Sequence, residues 1–98
     1  MSAVRSHHYS VAEADLEEFL ARRTSLIATV RKTHPGLMAA LLIRLDDGTY
    51  NDIWRWETAQ QMGAALAAIG TFPEAPLTMA LTKDATAQNG RIVDEGES

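Results

Sequence analysis

The fold of this chain is decided by residues 37–56, whose sequence is LMAALLIRLDDGTYNDIWRW. The first part, Leu37–Leu45, is apolar at nearly every position, which is typical of a strand buried on both faces. The turn-forming residues Asp46–Thr49 join it to a second strand, so the stretch predicts a β-hairpin. Alternation along the second strand places four side chains on one face: Tyr50, Asp52, Trp54 and Trp56.

This face of the second strand combines three aromatic rings with one carboxylate. Aromatic walls with few polar groups are typical of a pocket for a flat organic molecule, although a tryptophan on a strand is also ordinary core. A buried carboxylate needs a partner or a function, because an unpaired buried charge is costly. Asp52 is therefore a candidate catalytic base, and a cross-strand ion pair with Arg44 is the structural alternative. The register of the hairpin decides between them, and the sequence does not fix it.

Capping patterns predict two helices around this hairpin. Ser10–Glu13 has the S-x-x-E form of a capping box and predicts a helix that starts there and ends near Thr33, ahead of a Pro-Gly pair. Thr58–Gln61 has the same form and predicts a second helix that ends at Gly70. Both segments have apolar residues at helical spacing, so each helix turns one face inward.

Short strands are expected at both ends of the chain, over Ala3–Tyr9 and Ala87–Asp94. The order is then β-α-β-β-α-β, an α+β, ferredoxin-like arrangement with an antiparallel sheet. Two helices can cover only one face of a four-stranded sheet, yet Leu37–Leu45 predicts burial on both. A second copy of the chain, packed sheet against sheet, is the simplest cover, so the sequence predicts a homodimer.

The bulk composition predicts one small cytoplasmic domain. The 98 residues, 46% of them hydrophobic, suffice for a single domain over residues 1–94, with a disordered tail over 95–98. The N-terminus lacks an apolar signal-peptide core, and no apolar run is long enough to span a membrane. A net charge of −4 with scattered basic residues argues against nucleic acid as a partner. Without cysteine, and with histidine only at positions 7, 8 and 34, no metal site is expected.

Four motifs together resemble the dimeric α/β-barrel superfamily and, within it, the antibiotic biosynthesis monooxygenase domain family. The resemblance spans about residues 3–93. The motifs are Glu17-Glu18-Phe19 on the first helix, His34-Pro35-Gly36 at its end, the apolar strand with its Asp46-Asp47-Gly48 turn, and Trp56-Glu57-Thr58.

This resemblance implies a reaction and two site residues. The quinone-forming monooxygenases of the family use neither flavin nor metal and let an electron-rich phenol or anthrone react with O₂ directly. In them a strand tryptophan and a polar residue four positions earlier line a cavity between helices and sheet. Carried over, these are Trp56 and Asp52, which the resemblance implies as catalytic residues that need no cofactor. The family has an amide side chain at the position of Asp52 in this chain. The residue implied to line the cavity therefore differs from the family's, and this difference bears on which class of substrate the chain accepts.

The remaining candidates are residues that could contact a substrate. Tyr50 and Trp54 share the aromatic face, and Arg44 is the one charge on its apolar strand. His7 and His8 are adjacent on the first strand and point to opposite faces, so at most one reaches the cavity. His8 is taken as the substrate-binding candidate, and the sequence leaves the choice between the two open.

These observations predict a cofactor-independent monooxygenase that acts on a polycyclic aromatic or quinol-type molecule. Two alternatives stay open. One is an isomerase or cyclase of the same superfamily that works by proton transfer and needs no O₂. The other is a non-catalytic dimer that binds a small ligand.

Overall fold

The computed structural model describes residues 2–96, whose four strands form one antiparallel sheet with the order β2-β3-β1-β4. The chain is an α+β, ferredoxin-like β-α-β-β-α-β fold, as predicted, with one additional short helix before the last strand. The elements in order are β1 (Ala3–Val11), α1 (Leu16–Thr33), β2 (Leu37–Arg44), β3 (Tyr50–Trp56), α2 (Ala59–Ile69), α3 (Glu74–Met79) and β4 (Thr82–Arg91).

The first predicted capping box is wrong, and the second is confirmed. Strand β1 continues through Ser10, which pairs with Lys83 of β4, so its backbone is already hydrogen-bonded in the sheet. A 3₁₀ turn over Glu13–Asp15 then leads into α1, and no side chain caps either start. At the second helix, Thr58 Oγ1 accepts a hydrogen bond from the Gln61 backbone N–H at 3.1 Å. The ends of both helices agree with the predictions, at Thr33 and at Gly70.

Strand β4 lies earlier in the sequence than the predicted Ala87–Asp94. It begins at Thr82 and ends at Arg91, so the apolar residues that suggested a strand lie beyond its end. Val93 is 86% exposed. Because β4 is an edge strand whose side chains are mostly exposed, its sequence is polar and lacks the alternation that marks a half-buried strand.

The core lies between the helices and one face of the sheet. The face of β3 that bears Trp54 and Trp56 packs against Leu26 and Val30 of α1 and Met62 of α2. A register shift in β2 places Leu37 in this core and leaves Met38 half exposed. Among residues 2–96, no helix is long and apolar enough to cross a membrane.

The opposite face of the sheet, named here the outer sheet face, is not covered by any helix and carries an apolar patch. It is formed by Val4 of β1, Ala39, Leu41 and Ile43 of β2, and Ile53 of β3. Leu41 is 58% exposed and Ile43 41% exposed. Within one chain, therefore, β2 is covered on one face only, although its sequence predicts burial on both.

Glu95, after the last strand, contacts β3, an interior strand of the sheet. Arg55 Nη2 forms an ion pair with Glu95 Oε1 at 3.1 Å, which ties the start of the predicted disordered tail to β3. The rest of that prediction, at Glu97 and Ser98, lies outside the described residues.

Candidate functional site

A cavity of about 270 Å³ lies between the helix-covered face of the sheet and the three helices. This volume is just below the range of about 300–1,000 Å³ that is usual for pockets that bind drug-sized molecules. Its apolar lining includes Phe19, Leu26, Trp54, Trp56, Leu66 and Ile69. Its polar lining includes Arg5, His7, Tyr9, Arg23 and Asp52. The cavity is thus an apolar slot with one polar side, and α3 closes it through Ala75, Thr78 and Met79.

Asp52 is the centre of the polar side and accepts four hydrogen bonds. Its Oδ2 accepts from the Tyr9 hydroxyl at 2.7 Å and from Arg23 Nε at 2.9 Å. Its Oδ1 accepts from Arg23 Nη2 at 2.7 Å and from the Trp54 indole N–H at 2.9 Å. A carboxylate offers about four lone-pair positions, so donors of this chain occupy all of them. Asp52 is therefore fully satisfied before any ligand enters.

Arg23 is the site residue that sequence reasoning missed. It lies on α1 four residues after Phe19 and three before Leu26, which puts it on the inward face of the helix. Its two-point contact with Asp52 is the geometry that a guanidinium and a carboxylate prefer. A charged residue within an apolar helical stripe was the signal that could have revealed it.

The alternative in which Arg44 pairs with Asp52 is not what the structure has, because the hairpin register places Arg44 opposite Tyr50. Arg44 Nη2 donates to the Tyr50 hydroxyl at 2.7 Å, and its guanidinium carbon lies 5.4 Å from the centre of the Tyr50 ring. Tyr50 in turn packs against Tyr9 within a second buried cluster. Neither Arg44 nor Tyr50 lines the cavity, so the structure does not place them where the sequence predicted substrate contacts.

The two adjacent histidines point to opposite faces of β1, as alternation requires, and the structure selects His7 for the cavity. His7 lies opposite Asp52 in the sheet register and lines the cavity. His8 is exposed on the other face, where its Nε2 lies 2.9 Å from Thr49 Oγ1. The choice of His8 as a substrate contact is therefore wrong in placement, since its side chain is directed away from the cavity.

The surroundings of the cavity shift the pKa values of two of its residues, Tyr9 and His7, and both shifts favour the neutral form. Burial, followed by the charge of Asp52 and the hydrogen bond to it, raises the pKa of Tyr9, so the phenol stays protonated and keeps donating. Burial, followed by the nearby Arg5 guanidinium, lowers the pKa of His7, and Asp52 opposes this shift only in part. The imidazole of His7 is therefore neutral at pH 7 and can accept a proton.

Two of the remaining predicted residues do line the cavity. Trp54 and Trp56 form part of its wall, and both are also members of the main core cluster. Trp56 is fully buried, and Trp54 is 8% exposed. Within residues 2–96, no group of three or more histidine, aspartate or glutamate side chains is arranged to hold a metal ion.

The same architecture recurs in solved structures. SnoaB, a cofactor-independent oxygenase from Streptomyces nogalater, superimposes in a mutant form with a TM-score of 0.77 at 22% identity, covering 96% of this chain and 95% of that one. A second structure of SnoaB gives a TM-score of 0.65 at 25% identity over 98% and 95% of the two chains. Neither a protein-family model nor a curated protein matches this sequence.

Two further neighbours extend this group. A candidate antibiotic biosynthesis monooxygenase from Caulobacter crescentus CB15 has a TM-score of 0.70 at 18% identity, over 95% of this chain and 91% of that one. A dimeric ferredoxin-like protein from an uncultured marine organism has a TM-score of 0.74 at 12% identity, over 99% and 92%. The fold is that of ferredoxin-like proteins of the antibiotic biosynthesis monooxygenase type. These likenesses establish the architecture.

Proposed function

We propose that this protein is a cofactor-independent monooxygenase that oxidises a small fused-ring phenol or anthrone with O₂. The observation that carries the proposal is the placement of a histidine in an aromatic-walled cavity: His7 lies there opposite the satisfied Asp52, with Trp54 and Trp56 forming part of the apolar wall. The likeness to SnoaB, a cofactor-independent oxygenase, supports the same reaction class. The cavity volume favours a molecule of two or three fused rings.

The roles of the polar residues follow from their hydrogen bonds. We assign the base to His7, because it is neutral and has no side-chain hydrogen bond to the rest of residues 2–96. Asp52, with its four bonds, orients Tyr9, Arg23 and Trp54, so it acts as a positioning residue. Asp52 is thus still central to the site. The base, however, is assigned to His7 and not to Asp52, which the sequence favoured.

The proposed reaction balances without a cofactor. His7 removes a proton from the ring carbon or hydroxyl of the substrate, and the resulting electron-rich anion reduces O₂ and forms a carbon–oxygen bond to it. The peroxide anion takes the proton back from His7, and the resulting hydroperoxide loses water as the O–O bond and the remaining C–H bond at that carbon break. A methylene group becomes a carbonyl, one atom of O₂ enters the product and the other leaves in water. The apolar walls exclude bulk water and so protect the anion from simple reprotonation.

The test is turnover of 1,8-dihydroxyanthrone by protein treated with a chelator, with and without O₂. We expect the protein to accelerate quinone formation in air well above the uncatalysed oxidation, and to form no product under nitrogen. Conversion of the anthrone under nitrogen to a product of the same oxidation state would instead identify the isomerase or cyclase alternative. Equal rates with and without the protein would contradict catalysis and favour the non-catalytic ligand-binding dimer.

A pH profile tests the assignment of His7 as the base. Only the neutral imidazole accepts a proton, so kcat/KM should fall as pH decreases through the pKa of His7, with a midpoint below 6.5 because the cavity lowers that pKa. His7→Gln should reduce kcat by about 10²–10⁴-fold and remove this acidic limb. His8→Gln is the matched control and should leave rate and profile unchanged, since His8 lies on the other face. An acidic limb that persists in His7→Gln would assign the base elsewhere.

We further propose that two copies of the chain pack through their outer sheet faces. Support comes from the exposed Leu41 and Ile43 on a strand whose sequence is almost wholly apolar, and from a dimeric neighbour of the same fold. Leu41→Glu should shift the mass in sedimentation equilibrium from twice the 10.7 kDa chain mass to that of one chain. Leu77→Glu is the matched control, because Leu77 is a similarly exposed leucine, at 52%, on α3. A single-chain mass for the unmodified protein at micromolar concentration would refute the dimer.

A further inference from the structure

Two buried N–H groups of residues that line the cavity have no hydrogen-bond partner. Within the described part of the chain, neither the Arg5 Nε–H nor the Trp56 indole N–H donates to any atom, and both nitrogens are inaccessible to solvent. Buried donors are nearly always paired, because an unpaired one loses its hydration without compensation. Two residues that line this cavity therefore carry N–H groups that no acceptor of residues 2–96 satisfies.

The charges of the cavity lining are also unbalanced. Two guanidinium groups, of Arg5 and Arg23, face one carboxylate, Asp52. Arg23 is matched to Asp52 in a two-point ion pair. Arg5 has only a neutral contact, from its Nη1 to Asn89 Oδ1 at 3.0 Å, and no carboxylate of residues 2–96 lies within ion-pair distance of it. His7 and Tyr9 do not change this charge balance, because burial favours the neutral form of both. One positive charge is left over.

Arg5 lies beside the aromatic wall of the cavity. In the pairing of β1 with β3, Arg5 lies directly opposite Trp54, and Ala3, two residues earlier, lies opposite Trp56. Arg5 is therefore diagonal to Trp56 on the same face of the sheet, a separation that long side chains bridge. A flat molecule against the two indoles would have its edge near the guanidinium of Arg5.

We propose that the cavity selects an aromatic carboxylate, whose carboxylate oxygens accept hydrogen bonds from Arg5 and whose ring system lies against Trp54 and Trp56. A guanidinium and a carboxylate fit each other in planar two-point contacts, which suits an anionic group at the edge of a flat ring. The inference rests on the proposed function in that it names the substrate class for the same cavity. The preferred substrate would then be a phenol or anthrone that also carries a carboxylate group.

Binding without turnover tests the proposal, with 2-naphthoate and its neutral analogue 2-naphthamide as probes in isothermal titration calorimetry at pH 7. The unmodified protein should bind the carboxylate at least about tenfold more tightly than the amide, as expected for a charge-assisted hydrogen bond. Arg5→Gln should reduce this ratio to near one, and Arg5→Lys should retain part of it. Arg22→Gln is the matched control, because Arg22 is an exposed arginine on α1 that pairs with Glu18 outside the cavity.

The outcomes separate this inference from the proposed function. Equal binding of the two probes by the unmodified protein would overturn the inference, and so would a preference that survives in Arg5→Gln. The ratio measured on the unmodified protein decides the matter even if Arg5→Gln fails to fold. Naphthoate selectivity in a protein that does not consume O₂ would refute the monooxygenase and leave the inference standing. Rapid oxidation of a neutral anthrone by a protein that binds the two probes equally would refute the inference and leave the monooxygenase standing.

Discussion

Replacing Trp56 by alanine is expected to lower the free energy of unfolding by about 3–5 kcal/mol, the usual cost of deleting a buried tryptophan. Trp56 has no exposed surface and is the largest fully buried side chain among the described residues. It packs with Leu26, Val30 and Met62 from both long helices. Since domains are stable by only about 5–15 kcal/mol, much of the stability should be lost, which urea denaturation measures directly.

The control for this variant is Leu77→Ala, which removes an exposed apolar side chain and should change stability by less than about 0.5 kcal/mol. Trp56→Phe should give an intermediate loss, because it keeps a ring and removes only part of the volume. A Trp56→Ala protein as stable as the parent would contradict the packing described here. The sequence left open whether this tryptophan is core or cavity wall, and in the structure it is both.

The ion pair between Arg23 and Asp52 should be the second large contribution. Arg23→Met is expected to destabilise the protein by about 3–5 kcal/mol, because it leaves the carboxylate of Asp52 buried without its two-point partner. Arg22→Met is a closely matched control: the neighbouring residue on the same helix pairs with Glu18 in an exposed ion pair, which should contribute no more than about 0.5 kcal/mol.

A double-mutant cycle isolates the pair from its surroundings. Asp52→Asn keeps the shape of the side chain and removes its charge, so combining it with Arg23→Met should destabilise the protein less than the sum of the two single changes. Strict additivity of the two changes would mean that Arg23 and Asp52 do not interact as the 2.7 Å contact indicates. A loss in Arg23→Met no larger than in Arg22→Met would lead to the same conclusion.

Most of the fold could be predicted because the deciding residues are buried. The hairpin of residues 37–56 and the two helix ends follow from apolar patterns and turn residues that act locally. The start of α1 could not be read from Ser10, because pairing with β4 determines whether its backbone is in a strand or a helix. The bounds of strand β4 could not be predicted because it is an edge strand with few buried side chains. Its sequence therefore lacks the alternation of apolar and polar residues that marks a strand.

The site was predictable in part. Alternation along β3 correctly groups Asp52, Trp54 and Trp56 on the cavity side. The hydrogen-bond partners of Asp52 come from elements far apart in sequence, so local patterns do not reveal them. Arg23 is the one partner with a signal in the sequence, because it is a charged residue on an otherwise apolar helical face. The choice between His7 and His8 needs the absolute register of β1, which no local pattern supplies.

Isotope labelling tests the central claim, oxidation by O₂ without a cofactor, most directly. Chelator-treated protein is given 1,8-dihydroxyanthrone under ¹⁸O₂ in ordinary water, and the product is analysed at once by mass spectrometry. We expect one heavy oxygen atom in each product molecule, with the second atom of O₂ released as water. A parallel reaction in H₂¹⁸O under ordinary O₂ should give unlabelled product apart from slow carbonyl exchange. Product whose new oxygen comes from water, or none at all above the protein-free rate, would contradict the account.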